Sequence, residues 1–183
     1  MDKASYKTAF TLIIADFKEI LSFIEPVEAN KPTYSHRIYE LFLRTCTEFE
    51  SLCKDMLIKQ NYQGKPSPNK YDVNDYKTLY NSRKFHNIGL LYWHPNVEFI
   101  EPFKDWKESK PLSWYQSYNK VKHNRNNEFH RANLNNLIFS VAGLFTLIQI
   151  NGCFQENQSI GFKMQGNLSV VNYYDYLHSI KRG

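Results

Sequence analysis

The stretch "LNNLIFSVAGLFTLIQI" (134–150) contains no charged residue and places apolar side chains at Leu134, Leu137, Ile138, Val141, Leu144, Phe145 and Ile148. Spacings of three and four are the helical period, so the segment reads as a buried helix. A chain carrying such a helix needs other amphipathic segments to cover it. The run is still short of the roughly 18 uninterrupted apolar residues of a membrane span, so no membrane association is expected.

Candidate covering segments are present upstream. Residues 3–25 repeat apolar side chains at Phe10, Ile13, Ile14, Phe17, Leu21 and Ile24, and Pro26 closes that helix. A second helix is expected over 33–60, with Ile38, Leu41, Phe42, Phe49, Leu52, Met56 and Leu57 on one face. "NYQGKPSPNK" (61–70) is a loop by its Gly, Pro and Ser content, and a shorter helix is expected over 72–85. Residues 86–103 lack helical periodicity and contain two prolines, which makes them a long irregular connection with room for short strands. Helix then resumes with Ser113 as N-cap and Gln116 three residues on, the capping-box pattern. A straight helix over 113–150 would reach about 55 Å, so a bend or break is expected near the Asn-rich "VKHNRNNEFH" (121–130). Residues 156–172 are ambiguous, and 172–181 suit a short terminal helix. The expectation is one all-α domain over 1–183, a bundle of about four to five helices.

Composition agrees with this. With 183 residues, only 7 glycines and 7 prolines, and 16% aromatics, the chain suits a helical core with few tight turns. A net charge of +5 favours an anionic partner without being a polybasic tail. Cys46, Cys53 and Cys153 lack C-x-x-C spacing and read as reduced, mostly buried thiols of a cytoplasmic protein. The amino-terminal "MDKASYKTAFTLIIADFKEIL" interrupts its apolar run with charge, unlike a signal peptide. His86, His94 and His178 have no ligand spacing, so no metal is expected. No glycine-rich phosphate loop occurs, so no nucleotide cofactor is expected either.

The polar approach to the apolar helix carries the chemistry. Asparagine and histidine are mediocre helix formers, so local propensity does not explain their density at 121–130. On a regular helix Arg125 and His130 would point about 140° apart, while Asn126 and His130 would share a face, His130 lying half-buried at the apolar boundary. An imidazole can move a proton at neutral pH, and a guanidinium can grip a phosphate and stabilise charge developing on it. Together they form a minimal metal-free kit for cleaving RNA. The histidine serves the ribose 2′-OH or the leaving 5′-oxygen, and the arginine holds the pentavalent phosphorus. Two copies across a two-fold axis would bring two such sets into one cleft.

"RNNEFH" resembles the signature of the HEPN superfamily: an arginine, a polar residue (Asn, Asp or His), three further residues and a histidine. "WYQSYNKVKHNR" before it, "ANLNNLIFSVAGLF" after it and, less specifically, "YSHRIYELFLRTCTEFESLCK" are similar to bacterial HEPN-type proteins. The resemblance covers about half the chain and leaves out 61–110 and the last 30 residues. It implies a compact helical domain that dimerises, and a metal-independent endoribonuclease site built from both protomers. It also implies work as a toxin or antiphage-defence effector, with a cognate antitoxin or defence-system partner. Carried over by position, Arg125 and His130 are the catalytic pair and Asn126 orients them. The alternative is a HEPN-like module that binds RNA or protein without cleavage.

Around the motif, Lys122, His123 and Arg131 form a candidate RNA-binding rim, with Glu128 opposing. Trp114, Tyr115 and Tyr118 suit the core better than stacking on unpaired bases. His36, Glu40 and Arg44, at helical spacing, suggest a salt-bridged face. Glu48 falls near the apolar stripe, where it either positions Arg125 or His130 or is solvated at the stripe's edge.

Overall fold

The computed structural model describes residues 2–83, 89–92, 99–152 and 162–165. Among them lie five helices of at least 11 residues: α1 (Lys3–Phe23), α2 (His36–Lys59), α3 (Val73–Arg83), α5 (Ser113–His123) and α7 (Leu134–Ile150). Two single-turn helices, α4 (Lys104–Lys107) and α6 (Arg125–Glu128), join them. The fold is all-α in class.

The long connection carries short strands. β1 (Gly89–Tyr92) pairs antiparallel with β2 (Phe99–Ile100) on one side and with β3 (Phe162–Gln165) on the other, giving the order β2-β1-β3. The register sets Leu90 opposite both Ile100 and Met164. β3 resolves part of the ambiguous stretch at 156–172. The expected helix at 172–181 lies outside the described residues, as do His86, His94, His178 and Cys153.

α7 is the axis of the domain. Residues 140–148 are buried without interruption, two and a half turns with no solvent-facing side. α2 supplies its largest neighbour, and α1 and α5 pack on it as well. α1 starts on an N-cap, Asp2, whose Oδ1 accepts the Ser5 N–H at 2.8 Å, and it stacks Phe10 on Phe145 at 6.0 Å. It ends at Phe23, two residues before the expected end, with Ile24 as its cap ahead of Pro26. Phe49 of α2 is the centre of an aromatic cluster, with Trp114 edge-on at 5.1 Å and Phe103, Tyr115 and Tyr76 at 6.2, 6.2 and 6.4 Å. Gly143 lets α5 approach α7, because a Cβ there would stand 3.2 Å from Trp114 Cζ2. Cys46 and Cys53 are free, and burial pushes both thiols well above their usual range.

Ser113 is not the cap of α5. Leu112 occupies that position without a side-chain bond, and the Ser113 N–H donates instead to Asp105 Oδ2 at 2.7 Å. A carboxylate from α4 thus supplies, across a turn, the acceptor that the first helical N–H groups need.

One backbone tie decides where the functional residues meet. Leu134 N–H donates to Thr33 O at 2.8 Å and Asn135 N–H to Lys31 O at 3.0 Å, with a bridge between Tyr34 and Asn133. The starts of α2 and α7, a hundred residues apart in sequence, are therefore laced side by side. Asn133 then caps α7 through Oδ1, which accepts the Asn136 N–H at 3.0 Å. Asn133→Ala is expected to destabilise the fold by about 1 kcal/mol and Asn133→Ser by much less, as read from urea unfolding midpoints.

Candidate RNA-cleaving site

The expected break is real and has two joints. α5 stops at His123, and Asn124 leaves the helical conformation with φ −144° and ψ 61°. α6 makes one turn, a 3₁₀ turn spans Phe129–Arg131, and α7 begins after Asn133. The asparagines build these joints. Asn124 O accepts the Glu128 N–H at 3.0 Å, and Asn124 Oδ1 accepts from Asn127 Nδ2 at 3.2 Å. Asn136 Nδ2 donates back to Arg131 O at 2.8 Å. At the second joint an asparagine side chain thus takes a backbone carbonyl, while at the first the two asparagine side chains bond each other.

Resetting the helical phase twice changes which residue faces inward. Phe129 takes the half-buried position and His130 is exposed, so the expected boundary placement of His130 is corrected. Asn126 is exposed too, and neither it nor His130 hydrogen-bonds Arg125 among the described residues.

Arg125 is held from the other side of the tie. Its guanidinium carbon lies 4.6 Å from the centre of the Tyr39 ring and 5.5 Å from that of Phe129. One terminal nitrogen is 2.9 Å from His36 Nδ1. Phe129 in turn meets Tyr34, His36 and Tyr39 at 5.6, 5.0 and 5.5 Å. An exposed arginine is thus fixed in plane by aromatic faces, and among the described residues its remaining N–H groups make no hydrogen bond, which leaves them to an anion.

The rim residues differ in availability. Lys122 Nζ donates to Tyr118 OH at 3.1 Å and lies 3.9 Å from Glu50 Oε2, and the tyrosine contact raises its pKa. Arg131 is ion-paired with Glu128, and that pairing pulls the Glu128 carboxyl down. His123 is exposed and makes no such pair among the described residues. Trp114, Tyr115 and Tyr118 are buried, as the core expectation had it, and the Tyr115 hydroxyl donates to Glu50 Oε1 at 2.6 Å.

The salt-bridged face on α2 forms with other partners. Arg44 pairs with Asp16, and Arg37 reaches Glu19 at 3.3 Å and Glu40 at 3.7 Å, leaving His36 to Arg125. These arginines line a cleft of about 160 Å³ with Ile20 and Leu41, and it includes no motif residue. Among the described residues, no three of His, Cys, Asp and Glu gather to hold a metal ion, and no helix is long and apolar enough to cross a membrane.

Glu48 holds neither Arg125 nor His130. Its Oε2 is buried without a hydrogen-bond partner, and burial raises its pKa against the opposing pull of Arg44. A carboxyl with a raised folded pKa binds its proton more tightly in the folded state. Stability is therefore lost as pH climbs from the ordinary glutamate range through the raised value. Glu48→Gln is expected to raise the melting temperature at pH ~7 and to have little effect near pH ~4, where wild-type Glu48 is protonated. Thermal melts at the two pH values check this.

Sequence reasoning missed His36, Tyr39 and Phe129 as members of the site. His36 and Tyr39 are three apart on α2 and so share a face. Their destination, however, depends on the 31–34 to 133–135 tie, which no local pattern encodes. In comparisons with known proteins, no family model, no curated protein and no solved structure matches this chain.

Proposed function

We propose that the chain is a HEPN-type, metal-independent endoribonuclease that works as a homodimer and serves as a toxin or antiphage-defence effector. The observation that supports this best is the motif's display. A double break in the helix leaves Arg125, Asn126 and His130 exposed, with Arg125 braced by Tyr39, Phe129 and His36. Arg125 is suited to grip the scissile phosphate, and His130 to carry a proton between the 2′-OH or 5′-oxygen and solvent. Asn126, exposed on the same turn, can donate its amide to a phosphate oxygen. The two-fold pairing of protomers gathers both Arg125/His130 sets around one strand. Attack by the neighbouring 2′-OH leaves a 2′,3′-cyclic phosphate and a 5′-hydroxyl.

The test is cleavage of single-stranded RNA by the purified chain in EDTA, with Arg125→Ala and His130→Ala alongside. Cleavage that needs added metal, or that survives both substitutions, would sink the mechanism. A second reading draws on the rim: Glu50 and Glu128 already oppose Lys122 and Arg131. That weakens the basic surface for phosphate contacts, and within the reading of a binding module without turnover it favours a protein over RNA as the ligand. Such a module would retain its ligand when His130 is replaced.

A further inference from the structure

We propose that His36 is the positioning residue for Arg125, holding its guanidinium through a neutral imidazole protonated on Nε2. The inference rests on the ribonuclease reading for its consequence, although the contact itself does not. A guanidinium has only donors. With an Arg125 terminal nitrogen 2.9 Å from His36 Nδ1, that ring nitrogen must accept, and the ring's proton must sit on Nε2.

Three constraints converge on the arginine. The His36 bond fixes one edge of the fork, Tyr39 at 4.6 Å covers one side, and Phe129 at 5.5 Å is the second ring against it. Phe129 also packs on the His36 ring at 5.0 Å, so it steadies both partners at once. An exposed arginine otherwise loses much of its rotamer freedom when it binds a phosphate. Here that ordering is in place before RNA arrives, which is how a phosphate grip gains over a mobile side chain. His36 is the first residue of α2 and Arg125 the first of α6, so the contact spans 89 residues and exists only because the starts of α2 and α7 are tied.

The substitutions separate positioning from mere folding. The side-chain oxygen of an asparagine falls near the place of Nδ1, so His36→Asn keeps an acceptor for Arg125 while His36→Ala removes it. Using the full chain and a fluorescein-labelled unstructured RNA in EDTA, His36→Ala is expected to lower kcat/KM by about 10–100-fold. His36→Asn is expected to retain most of the wild-type rate. Histidine ¹⁵N spectra of the RNA-free chain are expected to show His36 as the Nε2–H tautomer, and Arg125→Ala to shift that signature. A His36 protonated on Nδ1 would overturn the proposal. So would a His36→Ala chain that cleaves like wild type, or a His36→Asn chain as impaired as His36→Ala. If the wild-type chain leaves the RNA intact, the ribonuclease reading fails, and the tautomer spectra alone then decide the His36–Arg125 contact.

Discussion

Arg125→Ala is expected to lower the single-turnover rate of RNA cleavage by about 10²–10³-fold, the usual loss when a charge-stabilising donor is removed. His130→Ala is expected to cost about 10²–10⁴-fold, the range for a general acid or base. The double variant should be little worse than the poorer single one, because groups acting on one transition state are not additive. Both side chains are exposed, so folding should survive. Removing Arg125 gives up two surface cation–π contacts and the bond to His36, about 1–3 kcal/mol together, less than the stability of a typical domain. Arg125→Lys should rescue poorly, since an ammonium cannot present a planar fork to phosphate while lying against Tyr39. Stopped assays with a single-site RNA, run beside circular dichroism of each variant, measure these effects separately from stability.

Phe49→Ala carries the largest expected loss of stability, about 3–5 kcal/mol. The ring is fully buried and touches Trp114, Phe103, Tyr115 and Tyr76, which come from α5, α3 and the connection between them. A cavity there leaves four large aromatic rings without a shared partner, and rigid rings collapse poorly into the space. For a domain of this size the melting temperature should fall by about 10 °C. Activity should fall in parallel at 37 °C and recover on cooling, because α5 delivers the chain to Asn124 and the motif. Chemical denaturation gives the number directly, and a loss under about 1 kcal/mol would contradict the central place given to Phe49.

What the sequence disclosed, and what it withheld, divides along a physical line. The bodies of α1 and α2 are legible because their burial repeats at the helical period, and Phe10 and Phe49 lie where that period puts them, while α7 is legible as an uncharged apolar run that ends up buried on every side over 140–148. The break at 121–130 is legible from asparagines that prefer backbone partners to helix. The cap of α5 was not, because Asp105 lies eight residues upstream and reaches Ser113 through the folded turn of α4. Nor was the exposure of His130, since extrapolating one helical phase across two joints puts the wrong residue inside. The largest omission, His36, follows from the same cause: the tie of Thr33 and Lys31 to Leu134 and Asn135 is made of backbone groups that every residue carries. Local pattern cannot reveal which backbone groups pair at long range.

The most direct measurement is the chemistry of the RNA ends produced by the purified wild-type chain in EDTA. A 2′,3′-cyclic phosphate on the upstream fragment and a 5′-hydroxyl on the downstream one, absent with His130→Ala, is the expected result. A 5′-phosphate product, or cleavage that appears only when a divalent metal is restored, would contradict it.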